Sequence, residues 1–317
     1  MGSKITVIGA GSVGATIAYK LSMDDTVSEI VLIDIKEDKA KGEVMDIAQG
    51  ASFRSPISIV AGDYSEAKDS DVVIITSGKP RKPGQTRLEL TQGNIDILKS
   101  ITPNIVKYAP NATYIIVSNP VDIMTYAFIK MSGLPEKQII GSGTTLDSAR
   151  LRYILSEKFN VAQRNIHAYV FGEHGDSLFV PWSLARISGA TIAEFSNMER
   201  ERDMNVSELD RDGIEEYIRK SGGEIIANKG ATYYAVTNAV CYLVSMLQSA
   251  YNSVGIISWM FHGEYGIDDV CLSVPHLIGP DGVYGKLPVK MTEEELDKLR
   301  HSADQLKAII KDIDLTL

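Results

Sequence analysis

The sequence predicts an α/β protein: a doubly wound parallel sheet followed by an α+β domain. Two observations predict it. Through the first half, short apolar runs alternate with helical stretches, the pattern that puts helices on both faces of a parallel sheet. Near residue 144 that alternation stops and longer helices and antiparallel-looking strands take over. A chain of 317 residues is long for one typical compact unit and suggests two domains or one large α/β domain; residues 1–143 and 144–317 are expected as two domains.

The elements follow in order. "KITVIG" reads as a buried strand, followed by a glycine-rich turn and a helix to about Met23. "EIVLID" is a second strand and "KAKGEVMDIAQGAS" a helix; short strands follow at "SIVAG" and "DVVIITSG". A helix is expected from about Leu88 to Tyr108, disturbed at Pro103, because proline supplies no N–H to the ladder. "ATYIIVSNP" is a strand, "VDIMTYAFIKMSG" a helix and "QIIGSG" a short strand. Beyond Thr144 come a helix over "LDSARLRYILSEKF", a strand at "AYVFGEHG", and one long helical region from Gly213 to Tyr251. Antiparallel strands and a charged helix close the chain, its start marked by the capping box of Thr292 and Glu295.

Composition excludes several classes. A formal net charge of −9 and a pI near 5.2 leave no basic stripe for nucleic acid. Cys241 and Cys271 are the two cysteines. They are too far apart in sequence and too few for a disulfide framework or a metal cluster, which points to a reducing cytoplasm and no metal. No apolar run reaches membrane-spanning length, and no signal peptide is expected because strand-like sequence begins at Lys4. "MGSKIT" formally fits an acylation pattern, but Thr6 lies inside the first strand.

Chemistry concentrates in four places. In "VIGAGSVG", Gly9, Gly11 and Gly14 form G-x-G-x-x-G between a strand and a helix, the Rossmann-type signature. Gly9 allows the tight turn, Gly11 the approach of a pyrophosphate and Gly14 close helix packing. Helix N–H groups then meet the phosphate oxygens. Asp34 ends the next strand, 20 residues after Gly14, where a carboxylate binds ribose hydroxyls and repels a 2′-phosphate. NAD is therefore expected, although nearby Lys36 keeps NADP in view. In "VFGEHGDS", His174 lies among small residues that leave its ring accessible, as proton transfer requires; an isolated histidine is more often structural. In "GTTLDSARLR", Asp147 and Arg150 share a helix face, or are simply an N-cap and a surface arginine. "GKPRKPGQTRLEL", residues 78–90, holds Lys79, Arg81, Lys82 and Arg87 before any acid in an acidic chain. It reads either as a solvated turn or as a loop awaiting an anion.

With these residues in view, the chain resembles the L-lactate and L-malate dehydrogenase family over essentially its full length. "VIGAGSVG", "VSNPVD", "GSGTTLDSARLR", "FGEHGDS", "KGATYYA" and "GEYGIDDVCLSVP" carry the resemblance, and the wording is closest to bacterial L-lactate dehydrogenases. The resemblance implies His174 as acid/base, with Asp147 orienting its imidazole. It implies Arg150 gripping the substrate carboxylate, Arg87 polarising the carbonyl and a lid from Gly78 to Arg87. Asn119 would contact substrate and the nicotinamide region, and Thr232 would line the far wall. Arg81 falls where lactate enzymes commonly carry Gln and malate enzymes Arg, so oxaloacetate is expected to be admitted and favoured. Thr232 argues instead for pyruvate, with Arg81 turned to solvent. The resemblance further implies a homotetramer and a fructose 1,6-bisphosphate site at Arg152 and His167, which otherwise read as a helix ion pair and a strand start. An NAD sensor would have no use for His174, Asp147, Arg87 and Arg150 together, and an NAD-using hydrolase would want a metal site.

Overall fold

The computed structural model describes residues 2–53, 57–79, 86–201 and 209–317, with the side chains at 87 and 199–201 left aside. In chain order the first half contains β1 (Ser3–Ile8), α1 (Ser12–Leu21), β2 (Val27–Ile33), α2 (Glu37–Gln49), β3 (Ser58–Ala61) and β4 (Val72–Ile75). These are followed by α3 (Arg87–Tyr108), β5 (Thr113–Ile116), α4 (Val121–Ser132) and β6 (Ile139–Gly141). The six strands pair in parallel in the order β6-β5-β4-β1-β2-β3, so the doubly wound sheet is as expected.

Its strands are apolar almost throughout because both faces are covered. In β4, Val73 and Ile75 enter one core while Val72 and Ile74 enter the core on the other face, the two-residue period of a strand. β5 divides likewise, Tyr114 and Ile116 to one side and Ile115 to the other.

The second half comprises α5 (Thr145–Phe159), β7 (Ile166–His167), β8 (Arg186–Ile187), β9 (Ala190–Thr191), α6 (Ile192–Glu201), α7 (Arg211–Lys229) and α8 (Tyr234–Leu247). After these come β10 (Ser253–His262), β11 (Asp268–Gly279), β12 (Gly282–Lys286) and α9 (Glu293–Ile310). β10, β11 and β12 are antiparallel, and β10 meets β6 at Ser258 and Gly141. One nine-stranded sheet thus runs through both halves. A third core, including Leu151, Ile166, Val180 and Ile218, fills the space under α5 and α7.

Three expectations need correction. "AYVFGEHG" is not a regular strand: it makes only isolated bridges, Phe171 to Phe179 and Gly172 to Ser273, because the chain turns at Gly172 with φ 89°. The region from Gly213 to Tyr251 is two helices, parted at Gly230, whose φ of 85° ends α7. α3 runs unbroken past Pro103 and begins at Arg87, where Thr86 and Glu89 form a capping box.

Candidate active site

β1 ends at the glycine turn, and α1 begins with Gly11 as its N-cap and no capping side chain. A Cβ on Gly14 would lie 1.8 Å from the Gly9 carbonyl oxygen, so only glycine lets the helix start this close to the strand. At Gly11 a Cβ would meet nothing within 4 Å, and Gly11, Ser12 and Gly14 line a cavity of about 560 Å³. The open side of a helix N-terminus is thus turned to that space, which suits a pyrophosphate. Asp34 sits just past β2. It accepts the Ala10 N–H at 2.7 Å and the Lys36 N–H at 2.8 Å, tying the end of β2 to the glycine turn.

On the other side of the cavity stands a row of three side chains. The His174 ring Nδ1 is 2.5 Å from Asp147 Oδ2, and Arg150 donates to Asp147 Oδ1 at 2.7 Å. All three line the cavity. Asp147 lies within the first turn of α5, whose N-cap is Thr144, so it is neither an N-cap nor partnered by a surface arginine. Burial works to raise the Asp147 carboxyl, but the charge of His174, its hydrogen bond and the Arg150 guanidinium outweigh it and hold the group below its ordinary value. The negative charge of Asp147 raises His174 above an ordinary imidazole, against the opposing effect of burial; the Asp147 hydrogen bond and Asp122 add to the rise and Arg150 subtracts. The arrangement can hold a proton on Nε2 and hand it over.

The remaining residues divide. Asn119, after β5 and before a cis bond to Pro120, lines the same cavity, as does Thr232 in the turn between α7 and α8. Arg81 and the rest of the expected lid, residues 80–85, lie outside the described residues; Arg87 opens α3, its side chain likewise outside. Arg152 and His167 do not line the cavity. Arg152 bonds the Ser148 carbonyl from α5, and His167 is exposed on β7 opposite Arg186.

Sequence reasoning missed Asp122. Its Oδ2 accepts the His174 N–H at 2.7 Å and its Oδ1 the Ser258 hydroxyl at 2.5 Å. Burial pushes it up to about 6, against the lowering effect of those two bonds. The available signal was a lone acid opening the apolar helix "VDIMTYAFI". Asn94 was also missed: its amide accepts from Lys79 N–H and donates to the Asn119 carbonyl, both at 2.8 Å, joining two segments of the cavity wall. Among the described residues, no group of three His, Cys, Asp or Glu side chains is placed to hold a metal ion, and no helix is long and apolar enough to cross a membrane.

Comparison with known proteins agrees across the chain. Residues 3–141 match the lactate/malate dehydrogenase NAD binding domain, and residues 144–315 the lactate/malate dehydrogenase alpha/beta C-terminal domain. An L-lactate dehydrogenase of Acetivibrio thermocellus is 46% identical over 312 residues, 98% of either chain. One from Clostridium perfringens is 44% identical, covering 99% of this chain and 98% of its own. Among solved structures, a lactate dehydrogenase from a Medee basin deep-sea metagenome library superposes with a TM-score of 0.93 at 38% identity, covering 98% of both chains. The minor L-lactate dehydrogenase of Enterococcus mundtii gives 0.93 at 34%, covering 99% of both.

Proposed function

The chain belongs to the lactate/malate dehydrogenase family with NAD as its cofactor, and from that premise we propose that it is a cytoplasmic L-lactate dehydrogenase interconverting pyruvate and L-lactate. The observation that carries this reading is the imidazole–carboxylate–guanidinium row facing the glycine turn across one cavity. NAD bound along that turn supplies or accepts a hydride. Arg150 would hold the substrate carboxylate through its fork, a task for which the bond to Asp147 pre-orients it. His174 would give its proton to the ketone oxygen in reduction and take it back from the alcohol in oxidation. Asp147 would keep Nδ1 protonated and so leave Nε2 to do this work. Arg87 would stabilise the oxygen as negative charge grows on it, while Asn119 and Thr232 shape the walls. The division into 1–143 and 144–317 is proposed as one of labour, cofactor in the first part and substrate chemistry in the second.

The described cavity also favours a monocarboxylate. Of the cations that line it, Arg150 serves the first carboxylate, Arg219 is paired with Glu215 at 2.9 Å, and Lys79 stands at the start of the expected lid. A second substrate carboxylate would therefore fall to the cations of the expected lid, and Arg81 is the specific feature favouring the second reading, preference for oxaloacetate over pyruvate. Burying a guanidinium against a methyl group is unfavourable, so pyruvate use requires Arg81 to face solvent. Measuring kcat/KM for both keto acids with NADH, in this protein and in Arg81→Gln, separates the two. The lactate reading expects pyruvate to be preferred and the ratio to be unmoved by the substitution. A higher value for oxaloacetate, reversed in Arg81→Gln, would replace it with the malate reading. We further propose a homotetramer in which Arg152 and His167 meet fructose 1,6-bisphosphate; adding that compound to the same assays, with sizing, tests it.

A further inference from the structure

The segment carrying His174 has amides but no strand to receive them. Phe171 and Gly172 give their N–H groups to the Phe179 and Ser273 carbonyls at 2.9 and 3.0 Å. The next two are taken by buried side chains from distant helices, Glu173 by Ser302 Oγ of α9 and His174 by Asp122 of α4, each at 2.7 Å. Ser302 and Glu173 are both almost wholly buried. Ser177 Oγ then lies 2.5 Å from Glu173 Oε2 and 2.9 Å from Ser302 Oγ.

The hydrogens on this arrangement follow from valence. A carboxylate oxygen accepts, so the Ser177 hydroxyl donates to Glu173. Ser302 must then donate to Ser177 while accepting the Glu173 N–H. The result is a closed ring, from Glu173 N–H to Ser302 to Ser177 and back to the Glu173 carboxylate, in which each hydroxyl donates once and accepts once. Bonds running in one sense polarise one another and strengthen together. A Cβ on Gly172, whose φ is 89°, would come within 2.8 Å of Ser302 Oγ, so the approach of α9 depends on that glycine. Glu173, Ser177 and Ser302 do not line the cavity.

We propose that this ring is a positioning device for the reaction, with Ser302 and Ser177 as positioning residues: it clamps residues 173–177 to α9 and thereby keeps the His174 imidazole seated on Asp147. The inference rests on His174 being the acid/base of the proposed dehydrogenase. The charged groups that face His174 are Asp147 and Arg150 from α5 and Asp122 from α4. Of these Asp147 acts most strongly, so slackening the clamp shifts the histidine toward an ordinary imidazole.

The test is a double-mutant cycle on the full-length protein with Ser302→Ala and Ser177→Ala, assayed for NADH-dependent pyruvate reduction. Each single change breaks the same ring, so each is expected to lower kcat about tenfold and the double change to do no more than the worse single one. The alkaline limb of kcat/KM should move to lower pH by about half a unit or more as the Asp147 contact loosens, while NADH affinity stays the same. Ser302→Cys, a weaker hydrogen-bonding group of similar size, should fall between. Variants whose alkaline limb coincides with that of the unaltered protein, or losses that multiply in the double, would overturn the proposal. If Ser302→Ala fails to fold, as absent NADH binding would reveal, Ser177→Ala on the partly exposed loop decides by the same pH criterion. Should the unaltered protein reduce no 2-oxo acid, the dehydrogenase reading falls and this inference with it; an active parent with unmoved variants removes this inference alone.

Discussion

The two walls of the cavity are built by different means. The nucleotide wall is the junction of β1 and α1, and its shape is set mainly locally: a turn at Gly9, open space at Gly11, a helix packed on the strand at Gly14, with Asp34 tying the turn to the end of β2. The wall that carries His174, residues 171–178, has almost no regular structure. It is held by Asp122 from α4, Asp147 from α5, Ser273 from β11 and Ser302 from α9, all far away in sequence. One wall is shaped mainly by its own backbone, the other mainly by side chains that converge. Damage to the first should appear in cofactor binding, and damage to the second in the chemical step, which makes the contrast testable.

The largest effect is expected at His174. His174→Ala removes the proposed proton donor but touches nothing on the nucleotide wall, so turnover of pyruvate should fall about a thousandfold or more while NADH still binds. Asp147→Asn keeps an acceptor for Nδ1 but loses the charge that raises the histidine; a loss of about a hundredfold is expected, less than for His174→Ala. Steady-state rates beside a fluorescence titration of NADH check both. Near-normal turnover in His174→Ala would sink the assignment of the acid/base.

A change to the other wall should invert that pattern. In Gly14→Ala the new methyl overlaps the Gly9 carbonyl, and α1 must lift from the turn. Overpacking of this kind costs about 1–3 kcal/mol, which in binding corresponds to roughly ten- to a hundredfold. NADH Kd is expected to rise by that factor, with kcat at saturating NADH within about threefold of the parent. A large drop in kcat at unchanged Kd would mean that the walls do not divide the work as described.

The same contrast explains what could be read from the sequence. The glycine turn, Asp34 and the alternating strands were legible because their cause is local: a tight turn, a strand end, a two-residue apolar period. His174, Asp147 and Arg150 could be named, and the family resemblance supplied their roles, but their meeting in one row follows from folding α5 beneath the 171–178 segment. That segment reads as a strand, since "AYVFGEHG" is apolar and β-branched enough at its start. The turn at Gly172, φ 89°, interrupts it, and the next two N–H groups go to side chains of α9 and α4. The partners of Asp122 and Ser302 could not be read for the same reason, since the two lie 52 residues before His174 and 129 residues after Glu173. The continuity of the sheet from β6 to β10 depends on one long-range pairing, Gly141 with Ser258, which no local pattern announces.

The smallest effect expected here, and the sharpest test of the side-chain-built wall, is at Asp122. Asn at this position keeps one oxygen for the His174 N–H, and the Ser258 hydroxyl can turn to accept from the new amide. The loop should therefore stay in place, and only a charge is lost. That charge favours the protonated imidazole, so in Asp122→Asn the histidine titrates lower. Pyruvate reduction needs the protonated form and fades as pH rises through the histidine pKa; its alkaline limb should shift to lower pH. At pH 7 to 8, kcat/KM for pyruvate should fall about fivefold to tenfold. Stability should move the other way. Burial pushes Asp122 up to about 6 from the 3.8 of an ordinary aspartate, so the native state binds a proton here more readily than the unfolded chain. Its contribution to stability therefore declines as pH rises between those two values and stays low above them. Asn carries no such penalty. Thermal melts should show the parent losing stability relative to Asp122→Asn from about pH 4 to pH 6, with the variant no less stable near pH 8 though less active. A variant that is less stable at pH 8 and whose alkaline limb coincides with the parent's would show that Asp122 serves the fold through its hydrogen bonds, and that its charge does not act on His174.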